Sequence, residues 1–153
     1  MPSKQGSLQF FAEPPTKHPF KKEQESIASW LKDVVSSEHK TIEQITYIFC
    51  NDQYLLDLNQ SYLQHDTLTD IITFPYKEGD ILESDIFISI ERVQENAQLY
   101  QVSFQHELSR VMVHGILHLI GYKDKTPSDK NVMRAKEEYY ISKLQDQTNF
   151  LIS

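Results

Sequence analysis

Cysteine is nearly missing from this 153-residue chain, where Cys50 stands alone. That excludes a disulfide framework and a thiolate metal site. Long apolar runs are missing too: none reaches membrane-spanning length. The start Met1-Pro2-Ser3-Lys4-Gln5 lacks the apolar stretch of a secretory signal. These absences lead us to expect a cytoplasmic protein with no membrane partner. Basic residues are outnumbered, 15 against 22 acids, for a net charge of −7. Phosphate binding is carried largely by Lys and Arg, so the overall charge weighs against a nucleic-acid partner. Repeats, low-complexity tracts and linkers are absent as well.

What is present suits one soluble globular domain spanning residues 1–153, with 39% hydrophobic and 24% charged residues. Short strands are expected over Leu8–Ala12, Ile42–Cys50, Ile71–Tyr76 and Ile81–Ile90, the last two joined around Glu78-Gly79-Asp80 as a hairpin. Helical spacing marks Phe20–Ser37, where Trp30 reads as a core residue, then Gln53–Tyr62 and Glu91–Tyr100. A last helix, capped by Ser128 or Asp129, would bury Val132, Met133, Tyr139, Tyr140 and Leu144. Strands interleaved with helices predict an α+β fold with a small mixed sheet.

The segment Phe104–Ile120 is apolar over most of its circumference, with Glu107, Arg110, His114 and His118 confined to a wedge of about 80° at ~100° per residue. A buried central helix with one polar stripe must partner that stripe. His114 and His118, four apart, share a helix face. Gly121 is placed to stop the helix, and Asp124 follows within reach of both imidazoles. Two imidazoles and a carboxylate with room for water form the ligand set of a catalytic zinc site. The plainer alternative is a pair of core histidines. A zinc protease of the His-Glu-x-x-His type is excluded, because Gly115 stands where its general base belongs. Gly115 is better read as a place where another element packs closely.

The run from His114 to Tyr122, His-Gly-Ile-Leu-His-Leu-Ile-Gly-Tyr, resembles the signature of the YbeY family, bacterial metal-dependent endoribonucleases of ribosomal RNA maturation. The blocks Leu58-Asn59-Gln60-Ser61-Tyr62, Thr69-Asp70-Ile71-Ile72-Thr73-Phe74-Pro75 and Asp85-Ile86-Phe87-Ile88-Ser89, with Glu107-Leu108, are similar to that family's in order from about residue 42 to 140. The resemblance implies an α+β fold and a single-strand-specific endoribonuclease. It also implies one zinc ion, with nickel or another divalent transition metal as a substitute, and RNA plus ribosomal proteins or the small ribosomal subunit as partners. DNA is not expected. The third histidine ligand of the family maps onto Asp124, and a carboxylate oxygen binds zinc at a similar distance. Leu63 stands where the family carries an arginine, and Ser84 where it carries a glycine.

The missing arginine directs attention to Arg110, one turn before His114, as a candidate guanidinium for the substrate phosphate, with Glu107 oriented to pair with it. The other reading of Arg110 is structural support. His65, Asp66, Thr69 and Asp70 are candidate cleft residues, or simply a locally hydrogen-bonded turn; no side chain stands out as a general base. Residues 121–136 gather Lys123, Lys125, Lys130, Arg134 and Lys136 against Asp124 and Asp129, a local +3 that leaves −10 elsewhere. That segment is either an RNA contact or a solvated helix face. Two rival functions remain: a non-catalytic, zinc-stabilised ribosome-assembly factor, and an iron enzyme of the 2-His-1-carboxylate type.

Overall fold

The computed structural model of the chain describes residues 6–63 and 69–152. Four strands, β1 (Ser7–Ala12), β2 (Thr41–Cys50), β3 (Ile71–Lys77) and β4 (Ile81–Ser89), form a mixed sheet in the order β1-β2-β4-β3. β1–β2 and β2–β4 are parallel, and β3–β4 is the expected antiparallel hairpin. Gly79, at φ 89°, makes its turn. Five α-helices among the described residues pack with it in the α+β domain: α1 (Gln24–Ser37), α2 (Asp52–Leu58), α3 (Ile90–Tyr100), α4 (Phe104–Ile120) and α5 (Pro127–Gln147). Among the described residues, no helix is long and apolar enough to cross a membrane.

The main core lies where α1 and α4 meet the sheet. Ile45, Tyr47 and Phe49 of β2 and Leu82, Ile86 and Ile88 of β4 are sealed from solvent by alternation along the strands. A smaller cluster of Cys50, Leu55 and Ile72, with Phe74 and Phe87 packed on it, involves α2. Trp30 is fully buried and donates to the Tyr140 carbonyl at 2.7 Å, so it is core as its spacing indicates. Tyr47 likewise donates to the Met112 carbonyl at 2.7 Å, tying β2 to the middle of α4.

Several elements depart from the sequence reading. Phe20–Ser37 opens with a 3₁₀ turn (Lys21–Glu23) before α1, and the helix expected through Tyr62 gives way after Leu58 to a π turn, Asn59–Leu63. The α5 cap is Thr126, not Ser128 or Asp129. Its Oγ1 accepts from the Asp129 amide at 3.0 Å, Asp129 reciprocates to the Thr126 amide at 3.4 Å, and Pro127 opens the helix. A capping box with Pro at the first helical position outcompetes a lone Ser or Asp cap. The buried stripe of α5 is Met133, Glu137, Tyr140, Ile141 and Leu144, whereas Val132 and Tyr139 are about half exposed at 48% and 52%. One residue of offset turns a side chain by about 100°, which moves both out of the stripe.

Candidate metal centre

α4 carries the site because its ends are fixed by local chemistry. Ser103 caps it, accepting from the His106 amide at 3.0 Å. Gly121, at φ 128°, ends it with its amide on the His118 and Leu117 carbonyls. The middle of α4 lies close to the hairpin: a Cβ on Gly115 would sit 3.0 Å from Ile71 Cδ1 and 3.6 Å from the Ile86 side chain. This is the close packing expected of that glycine.

Between α4 and β3 lies a cleft of about 160 Å³ lined by Ile71, Thr73, His114, Gly115, His118 and Asp124. The structure therefore gathers all three proposed ligands at one opening. His114 is half-buried, His118 exposed, and Asp124 lies on the loop after Gly121. His114 Nε2 is 3.5 Å from Asp124 Oδ2. Among the described residues, no three His, Cys, Asp or Glu side chains converge closely enough to hold an ion.

The chemistry of the donor set nevertheless suits a cation. His114 Nδ1 is 2.7 Å from Oε2 of Glu137, whose side chain is only 4% exposed. A carboxylate accepts, so Nδ1 is the nitrogen that donates, and in the neutral imidazole Nε2 is the nitrogen left to ligate a cation. In that form Nε2 and the Asp124 carboxylate are two donors of electron pairs on one side of the cleft, where a cation could be shared. A carboxylate that orients a ligating imidazole through its other nitrogen is the usual outer shell of a metal site. Glu107 and Glu137 are paired by Arg110, whereas Asp124 lines the opening with no ion pair to it among the described residues.

Arg110 is held from both sides. Its Nε and Nη2 donate to the two oxygens of Glu107 at 3.0 and 2.7 Å, and Nη1 reaches Glu137 at 3.4 Å. Burial opposes its charge, but the hydrogen bonds and charge of Glu107, with Glu137 and Asp70, outweigh it and raise the pKa. The support role considered for Arg110 is thus present in the structure, with Glu107 pairing as expected. Glu137 is the residue that sequence reasoning missed. Its signal was an acid inside the buried stripe of α5, between Met133 and Tyr140.

The β3 side contributes Asp70. Burial, joined by Glu107, pushes its carboxyl above the usual carboxylate range, against the pull of Arg110 and His114. Thr69 makes the local turn bond, Oγ1 to the Ile71 carbonyl at 3.4 Å. His65 and Asp66 lie outside the described residues, as does the side chain of Leu63. Of the basic segment, Lys130 and Arg134 line a second cleft of about 180 Å³ with Arg110, His114 and Asp124. Lys136 is diverted to Glu38 at 3.0 Å and lies over the Tyr122 ring.

Known proteins share this arrangement of chain and fold. The family described as Endoribonuclease YbeY matches residues 14–145. An Endoribonuclease YbeY of Flavobacterium psychrophilum is 54% identical over 117 residues, covering 76% of this chain and 84% of the relative. One from Christiangramia forsetii is 46% identical over 137 residues, covering 90% and 94%. A solution structure of TM1509 from Thermotoga maritima superposes with a TM-score of 0.67 at 27% identity, over 90% of this chain and 89% of that one. With the His114–His118 helix, the hairpin beside it and the ordered blocks all falling inside the matched span, the chain belongs to the Endoribonuclease YbeY family.

Proposed function

We propose that this protein is a metal-dependent endoribonuclease that cuts single-stranded RNA during ribosomal RNA processing, with one zinc ion held by His114, His118 and Asp124. The endoribonuclease role follows from family membership. The metal assignment rests on one observation above others: Glu137 engages Nδ1 of His114, which leaves Nε2, on the Asp124 side, as the nitrogen available to ligate. When bound, zinc supplies Lewis acidity towards a phosphate oxygen and lowers the pKa of bound water.

The chain's own residues do the rest. Glu137 accepts the Nδ1–H hydrogen bond and so raises the basicity of the imidazole. Gly115, by lacking a side chain, lets Ile71 and Thr73 form the opposite wall of the cleft. Arg110 keeps Glu107 and Glu137 from standing as uncompensated buried charges, and it borders the cleft that Lys130 and Arg134 also line. Those two cations give a strand's phosphates a landing beside the ligands, while the acidic remainder suits a basic ribosomal protein or the small ribosomal subunit. The compartment we propose is the cytoplasm.

The test is elemental analysis of the purified protein together with cleavage of a single-stranded RNA with and without chelator. We expect stoichiometric zinc and chelator-sensitive cleavage. Metal-loaded protein that binds ribosomal partners yet leaves RNA intact would replace this reading with that of an assembly factor.

A further inference from the structure

A third and larger cleft, about 450 Å³, lies further along α4 and is lined by Tyr100, Val102, His106, Glu107, Arg110 and Arg134. It shares Arg110 and Arg134 with the cleft that also contains His114 and Asp124. His106 precedes His114 by eight residues, so the two openings are about 12 Å apart along the helix axis. The volume is that of a small-molecule pocket.

Its lining has the chemistry of a nucleotide. Tyr100 is 57% exposed at the end of α3, where Gln101 turns the chain with φ 59°. An exposed aromatic face of this kind is a stacking platform for a base. Among the described residues Arg134 forms no ion pair, and His106 Nδ1 is buried without a hydrogen-bond partner. Glu107, the acid of this lining, has both oxygens committed to Arg110. The cleft therefore offers an aromatic face, an unpaired guanidinium and the His106 ring on its wall, with its acidic group already neutralised.

We propose that Tyr100, His106 and Arg134 form a nucleotide subsite for the RNA strand, in which Tyr100 stacks on a base, His106 contacts the base edge and Arg134 holds the adjoining phosphate. The nucleotide bound there is a near neighbour of the scissile phosphate and not the one being cut. The inference rests on reading the His114 cleft as the cleavage centre.

The test is fluorescence anisotropy of the full-length protein with a short, labelled single-stranded oligouridylate, checked for intactness after each reading, with cleavage followed in parallel. Loss of one base–aromatic stack should weaken Tyr100→Ala binding about tenfold. Tyr100→Phe should restore it, and Arg134→Gln should flatten the dependence of affinity on salt. Metal content and melting temperature should match wild type in all three. Wild-type affinity in Tyr100→Ala, or failure of the Phe variant to rescue, overturns the subsite even if the wild-type protein cuts RNA normally. Tyr100-dependent binding by a wild-type protein that never cuts supports the subsite and overturns the nuclease reading instead. Absence of oligouridylate binding by the wild type overturns the subsite.

Discussion

Two carboxylate clusters join α5 to the rest of the molecule, and they differ in how completely their partners are matched. At the first, Glu38 accepts from Tyr122 at 2.5 Å, from Lys136 at 3.0 Å and from Tyr140, so both oxygens are supplied by donors. At the second, Glu107 and Glu137 share Arg110, while His114 Nε2 and Asp124 stand 3.5 Å apart at the cleft, and the exposed His118 lines the same opening. The first is closed and holds Tyr122, just after α4, and α5 against the end of α1. The second is complete only on its buried side. Polar groups with valence left over, next to a cleft, mark the functional cluster, whereas the saturated one is support.

The largest effect should come from removing the cation that the second cluster shares. Arg110→Met leaves Glu107 and Glu137, 1% and 4% exposed at their side chains, without their guanidinium. We expect a stability loss of about 3–5 kcal/mol in denaturant unfolding. A melting temperature near wild type would mean that Arg110 serves substrate and not structure.

Glu137→Gln separates the clusters. It should lower metal affinity or cleavage by about 10–100-fold, as outer-shell changes do, with little change in stability. Titration of the metal-free protein with zinc measures it.

Glu38→Gln should do the reverse, costing about 2 kcal/mol of stability at neutral pH while metal content stays at the wild-type level. Burial works against the Glu38 charge, but hydrogen bonds from Tyr122, Tyr140 and Lys136 prevail and hold its carboxyl below the usual range. A folded-state pKa below the unfolded one stabilises the fold above the unfolded value, and that contribution is lost as pH falls through the folded value. The gap between wild type and Glu38→Gln should therefore be full at neutral pH and shrink below about pH 4.5. A pH-independent gap would contradict the assignment.

The smallest effect is expected at Gly115. Ala adds helix propensity of about 1 kcal/mol, while its Cβ presses on the movable tip of Ile71 at 3.0 Å. These oppose, so Gly115→Ala should stay within about 1 kcal/mol of wild type in chemical denaturation.

The same contrast explains what was legible in the sequence. α4 runs over Phe104–Ile120 as its pattern indicates, because an apolar circumference and Gly121 agree, and the structure adds the Ser103 cap. His114, His118 and Asp124 could be read because helical spacing and a short loop bring them to one opening. The α5 cap was misplaced because Thr126-Pro127-Ser128-Asp129 contains several capping residues and only the reciprocal bonds choose among them. Glu137 was legible only as an acid inside the α5 stripe, not as the partner of His114, 23 residues away, and Glu38 owes its role to Tyr122, 84 residues away. Arg110 was legible as a partner of Glu107 by its i, i+3 spacing, but its second acid on α5 was not.

The central claim is that the incompletely matched cluster is a metal centre, and His118 tests it most directly. It lies exposed at the cleft and takes no part in the buried ion pairs, so its loss should leave the fold intact. Wild type and His118→Ala should be purified side by side and their metal measured by elemental analysis, with melting temperature as a control for folding. Our account predicts stoichiometric zinc in the wild type and none in the variant; full metal occupancy in His118→Ala would contradict it.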